Sequence, residues 1–189
     1  LVGEEASKIG ERVMHCNWSS PMIAKVEGKE AIFFGAGDGI LYSFNPKAKE
    51  DDEGFLVLPE NWRVDGNLPE YRHDKDGKKI KYATFEGPSE YISSPVYHEG
   101  KVIALLGQDP EHGEGVGRMM CVDAKTGKVD WDYTGIERGI STASIADGLV
   151  YAADYRGRVH CVDFKSGEKI WMFDTKSHIW GSTLVADGK

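Results

Sequence analysis

Several scarcities narrow this 189-residue chain before any motif is read. Cysteine occurs three times, at Cys16, Cys121 and Cys161. That odd number gives no disulfide framework and leaves the redox compartment open. No apolar run approaches the ~18–20 residues needed to cross a bilayer, so a transmembrane segment is excluded. Basic residues are outnumbered, 23 against 31 acidic, for a net charge of −8. A nucleic-acid partner, which demands a basic surface, is argued against. There is no Ser-x-Gly nucleophile elbow, phosphate-cradling glycine loop or CxxC zinc pair, so nothing compels an enzyme. An initiator Met and a signal peptide are missing as well. The chain starts at Leu1 and stops on a turn signal, Asp187-Gly188-Lys189, which predicts a piece of a longer polypeptide. Proline is held to 7 residues, but 40% of the chain is hydrophobic and 11% aromatic, too much for disorder. Glycine is abundant instead, with 23 residues, about 12% of the chain against a usual ~7%. Glycine with 5 Trp and 8 Tyr leans towards short strands and tight turns.

A repeat accounts for this composition. Cys121-Val122-Asp123-Ala124-Lys125-Thr126-Gly127 returns as Cys161-Val162-Asp163-Phe164-Lys165-Ser166-Gly167, and Trp131 returns as Trp171. The same offset of 40 carries Ile145-Ala146-Asp147-Gly148 onto Val185-Ala186-Asp187-Gly188 (163 − 123; 188 − 148). Further copies begin near residue 93, at Ser93-Ser94-Pro95, and near residue 19, at Ser19-Ser20-Pro21. Within one copy, Ser141–Ala146, Leu149–Ala153, Arg158–Val162 and Lys169–Phe173 read as four short strands with Asp-Gly and Ser-Gly turns between them. Four antiparallel strands per ~40 residues is the blade of an all-β propeller. Copies near 19, 93 and 141, with a fourth first strand near 181, fall below the four to eight blades of a closed ring. Residues 1–189 are therefore expected to be an arc of a larger ring.

The pattern Val-Asp-x-x-[Thr/Ser]-Gly-x-x-x-Trp at 122–131 and 162–171 resembles the tryptophan-docking repeat of pyrroloquinoline quinone (PQQ)-type propellers. That family holds quinoprotein alcohol dehydrogenases and the propeller lipoprotein of the outer-membrane barrel assembly machine. Cys16-Asn17-Trp18-Ser19-Ser20-Pro21 and the run from Gly107 to Gly117 look like secreted PQQ-like propellers of planctomycete-type bacteria. The resemblance implies an eight-bladed ring and a periplasmic or secreted location.

The repeated residues are assigned to architecture. Trp131 and Trp171 are expected between neighbouring blades, each indole N–H meeting a backbone acceptor. Asp123 and Asp163 accept turn N–H groups, and Gly127 and Gly167 supply positive φ. Cys121 and Cys161, in one register of adjacent blades, are expected as small buried strand residues without a bond between them.

Insertions carry more information. Taking strands A to D in order, the D–A and B–C connections lie on one face, and the A–B and C–D connections on the other. Residues 65–90 (a long D–A connection) and 108–117 (a B–C loop) elaborate the first face, whereas 46–61 enlarge a C–D turn on the second. In the resembled family the first face is the ligand funnel. Trp18, Ile92, Ile140 and Trp180 fall in register just before strand A, and exposed aromatics there suit stacking on a planar ligand, a sugar or a partner side chain. Trp18, His112, Arg138 and Trp180 are thus the candidate ligand or partner contacts, with plugging of the ring's neck as the plainer alternative. Asp109, Glu111, His112 and Glu114 offer oxygen and imidazole ligands for Ca²⁺ or a transition metal, or else make a solvated acidic loop. Asp38 in Gly37-Asp38-Gly39 reads as turn chemistry.

In quinoprotein dehydrogenases the resemblance implies a vicinal disulfide, a stacking Trp, Ca²⁺ and an Asp base. No Cys-Cys pair occurs here, and no carboxylate matches the family's base or calcium ligands. The expected function is a non-catalytic binding or scaffolding propeller of an exported bacterial protein, holding a protein or small ligand on the D–A/B–C face. The alternative is a PQQ-dependent oxidoreductase with its active site partly in other blades, taking PQQ and Ca²⁺ by resemblance.

Overall fold

A computed structural model describes residues 4–83, 87–108, 111 and 116–189. Strand β1 (Glu4–Glu5) and a 3-10 turn (Ile9–Glu11) come first. Blade I follows as β2 (Met22–Val26), β3 (Lys29–Gly35) and β4 (Ile40–Phe44). Its C–D connection carries β5 (Lys49–Glu50) and β6 (Leu56–Leu58) before the outer strand β7 (Glu60–Asp65). Blade II is β8 (Val96–His98), β9 (Lys101–Leu106), β10 (Arg118–Asp123) and β11 (Val129–Tyr133). Blade III is β12 (Ser144–Ala146), β13 (Leu149–Ala153), β14 (Arg158–Asp163) and β15 (Lys169–Asp174). Each blade is a four-stranded antiparallel meander. The fourth sheet is different in kind. In it β6 pairs with β5 antiparallel and with β1 parallel.

Strand A is shorter than the sequence suggests, three residues in blade III, and just before it the Thr142 N–H goes to the Ser182 hydroxyl instead of to a ladder partner. No regular strand forms at 181–186, although Thr183 lies against blade III, where its hydroxyl donates to the Tyr151 carbonyl (3.0 Å).

Register makes the repeat exact. Trp62, Trp131 and Trp171 stand opposite Ser43, Cys121 and Cys161, each beside a one-residue irregularity in the C–D pairing. The Trp62 indole N–H donates to the Ala124 carbonyl of blade II (3.0 Å), and that of Trp131 donates to the Phe164 carbonyl of blade III (2.9 Å). A glycine lies under each ring. Gly127 and Gly167 have φ of +74° and +73°, and a Cβ there would fall 2.8 and 2.6 Å from the Trp62 and Trp131 rings. Two requirements, positive φ and contact with a ring, thus demand glycine at one position. Thr126 and Ser166 complete each turn by hydrogen-bonding to Asp123 and Asp163. Burial resists ionisation of Asp123, but the Thr126 hydroxyl and the Lys101 ammonium outweigh it and hold its pKa at about 2.

Trp171 departs from expectation. It is 42% exposed, because no further turn stands beside it within these residues. Cys121 and Cys161 are free and buried, as the repeat implies, and burial pushes the Cys121 thiol up to about 12. The core divides accordingly, with one cluster between blades I and II and another between blades II and III. A third, built on Ile9, Tyr42 and Phe44 with Leu58 against it, covers the other side of blade I.

One contact chain joins the inner segments. The Ser20 N–H donates to the Ser94 hydroxyl (2.9 Å), Ser94 N–H to that of Thr142 (3.2 Å), and Thr142 N–H to that of Ser182 (3.1 Å).

Candidate binding face

The D–A connection after blade II and the B–C turn of blade III meet at Arg138. Its side chain is buried, with the guanidinium carbon 4.3 Å from the centre of the Tyr155 ring. The backbone fixes this approach, since the Tyr155 N–H donates to the Arg138 carbonyl (2.9 Å). His178 stacks on the same ring at 4.4 Å and 12° between planes, and its Nδ1 lies 2.9 Å from the Tyr155 carbonyl. Trp180 meets the ring edge-on at 5.1 Å and 87°, yet stays 62% exposed. A desolvated guanidinium on an aromatic ring is worth roughly 2 kcal/mol. The exposed indole therefore rests on an ordered base.

A buried polar chain supports the turn that presents Tyr155. His160 Nε2 lies 3.0 Å from Asp154 Oδ2, and His160 Nδ1 lies 3.1 Å from the Tyr133 hydroxyl. Asp154 also accepts the Arg158 N–H (3.0 Å). Burial works against ionising Asp154, but the His160 and Arg158 hydrogen bonds prevail and hold its carboxyl below the ordinary range. Glu137, next to Arg138, takes Arg156 at 2.8 Å and Arg158 at 3.0 Å.

At the opposite end of the arc, Trp18 is 51% exposed beside His15, with ring centres 6.1 Å apart. His15 Nδ1 in turn lies 3.9 Å from a carboxylate oxygen of the buried Glu90. The structure thus joins Arg138 and Trp180, and among the described residues no ring contact links Trp18 to them. Asp109, His112 and Glu114 lie outside the described residues, whereas Glu111 is described and exposed. Tyr155, the residue that joins the group, is missed by sequence reasoning. Its position in the Asp154-Tyr155-Arg156-Gly157 B–C turn was the available signal, since such turns open onto this face. Asp38 does more than turn chemistry. It accepts the Ile40 N–H at 3.1 Å, and also Arg12 Nε at 3.2 Å and the Tyr42 hydroxyl at 2.5 Å.

A quinone with calcium does not fit the described residues. Cys16 is exposed and single, and Cys121 and Cys161 are buried in separate blades, so no adjacent pair exists to hold the ring. Among the described residues no three His, Cys, Asp or Glu converge on a metal-sized site.

Residues 115–189 match the family model described as outer membrane protein assembly factor BamB. No curated protein matches the chain. Among solved structures, BamB from Moraxella catarrhalis is similar over 89% of this chain and 42% of its own, with 17% identity and a TM-score of 0.55. Quinohemoprotein alcohol dehydrogenase from Comamonas testosteroni aligns over 89% of this chain and 32% of its own, with 14% identity and a TM-score of 0.55. Sqt1 from Saccharomyces cerevisiae covers 92% and 41%, with 11% identity and a TM-score of 0.58. The chain thus spans less than half the length of each, and the likeness is one of fold. Among the described residues, no helix is long and apolar enough to cross a membrane.

Proposed function

We propose that this chain, whose repeats are those of the PQQ-like propeller family, is a non-catalytic binding or scaffolding propeller of an exported bacterial protein. It acts in the periplasm or outside the cell and holds a protein partner or small ligand on its D–A/B–C face. The observation that carries this reading is the exposed Trp180 indole standing on Tyr155, which Arg138 and His178 hold in place. An anchored aromatic beside a buried arginine is the chemistry of an interface hot spot. Trp18 adds a second exposed indole, and by sequence His112 falls between strands B and C of blade II. The Trp62 and Trp131 contacts support tryptophan docking as the rule by which blades stack. By that rule residues 1–189 form one propeller segment, and the family resemblance makes it an arc of a ring of eight blades.

The test compares proteins captured from a bacterial envelope extract by the wild-type chain and by Trp18→Ala/Trp180→Ala, with circular dichroism confirming the fold. A partner bound by the wild type should be lost about tenfold or more in the variant. An unchanged set of captured proteins overturns the reading. Dye reduction by the full-length protein with PQQ and Ca²⁺ would install the dehydrogenase alternative instead.

A further inference from the structure

The long D–A connection of blade I builds a cleft separate from the Tyr155 group. The Asn67 side chain closes the loop's neck by exchanging two hydrogen bonds with the Ser89 backbone (2.8 and 2.7 Å), and both residues are buried. Beyond the neck the chain turns back on itself, with His73 pairing with Lys79 and the Ile80 N–H reaching the Arg72 carbonyl (3.0 Å). Between this segment and residues 11–14 lies a cleft of about 590 Å³.

The floor of the cleft is electrostatically satisfied and its rim is not. Asp38 is engaged by Arg12 and Tyr42, and Asp65 takes Arg72 through both oxygens at 2.9 and 2.5 Å. Lys79 and Lys81 line the cleft in exposed positions, and neither ammonium has an ion-pair partner among the described residues. They are two residues apart, with half-buried Ile80 between them, and Tyr82 follows at 72% exposure. Lys79 sits in the isolated bridge to His73 and Lys81 follows two positions on; alternate residues of an extended chain lie roughly 6–7 Å apart. That is also the spacing of alternate side chains in an extended peptide laid alongside. Glu11, on the facing wall, directs a ligand's negative charge to the lysine side.

We infer that this cleft binds an extended acidic peptide segment of a partner protein, whose alternate carboxylates meet Lys79 and Lys81 while an intervening apolar side chain rests against Ile80 and Tyr82. Charge complementarity selects this occupant. The chain carries −8 overall, yet this rim presents two cations without an ion-pair partner among the described residues.

The inference is independent of the Tyr155 group, and one experiment separates them. Fluorescence anisotropy is measured with a labelled peptide of alternating Glu and Val and with its Lys–Val counterpart. Binding of the acidic peptide alone is expected, weakened about tenfold by Lys79→Glu/Lys81→Glu, weakened by added salt, and unchanged by Trp180→Ala. Both lysines are exposed, so the double variant keeps the fold, and circular dichroism checks that it does. No binding, equal binding by the double variant, or loss in Trp180→Ala overturns the inference. Displacement by equimolar inorganic pyrophosphate also overturns the peptide assignment, by showing a site for a small free anion.

Discussion

Trp62, Trp131 and Trp171 share one register but meet two fates. The first two are buried against the next blade's turn, each with its N–H bonded, whereas Trp171 lies on an open face. Removing a buried Trp leaves a cavity and an orphaned carbonyl, and costs about 3–5 kcal/mol. Trp131→Ala is therefore expected to lose that much in urea unfolding, and Trp171→Ala less than about 1 kcal/mol, as for other exposed sites. Equal losses would refute this division of roles. Trp131 and Trp171 were legible because a fixed offset of 40 exposes them. Trp62 was hidden by the extra residues in its own C–D turn, which break the spacing without breaking the register. The role of Asp38 was hidden differently. Arg12 reaches it from 26 residues away, and no local pattern encodes that approach.

Connections decide what this protein presents to others, and their lengths were easier to read than their construction. The 65–90 segment was readable as a long D–A connection, and residues 73–79 in its middle are exposed. Its buried neck is a property of two distant residues, since Asn67 and Ser89 are separated by 22 positions. Asn67→Ala orphans buried Ser89 backbone groups, which costs roughly 1–3 kcal/mol. Hydrogen exchange across 70–82 is expected to accelerate while β9 and β13 keep their protection. Uniform loss of protection would mean that the loop and the blades unfold as one unit. The parallel contact of β1 with β6 was equally unreadable, because two-residue strands carry no periodicity.

At the scale of the whole molecule the arc has two unlike ends. Residues 9–14 and β6 cover one side of blade I, but β15 leaves Ile170, Met172 and Phe173 exposed, with Leu184 81% exposed nearby. Large apolar side chains left this exposed at one end of the arc seek cover. The 189-residue chain is expected to self-associate on concentration in analytical ultracentrifugation, and Ile170→Lys/Phe173→Lys to restore a monomer. A wild-type chain monomeric at high concentration would contradict this. The inner serine and threonine chain has another consequence, which concerns ancestry. Ser94 and Thr142 each give an N–H to one neighbour and accept with a hydroxyl from the other. A duplicated unit inserted between them brings both valences with it and orphans nothing. Lineages of such chains can therefore lengthen or shorten by whole units without remodelling an interface, whereas a fractional duplication leaves a donor unspent at every junction.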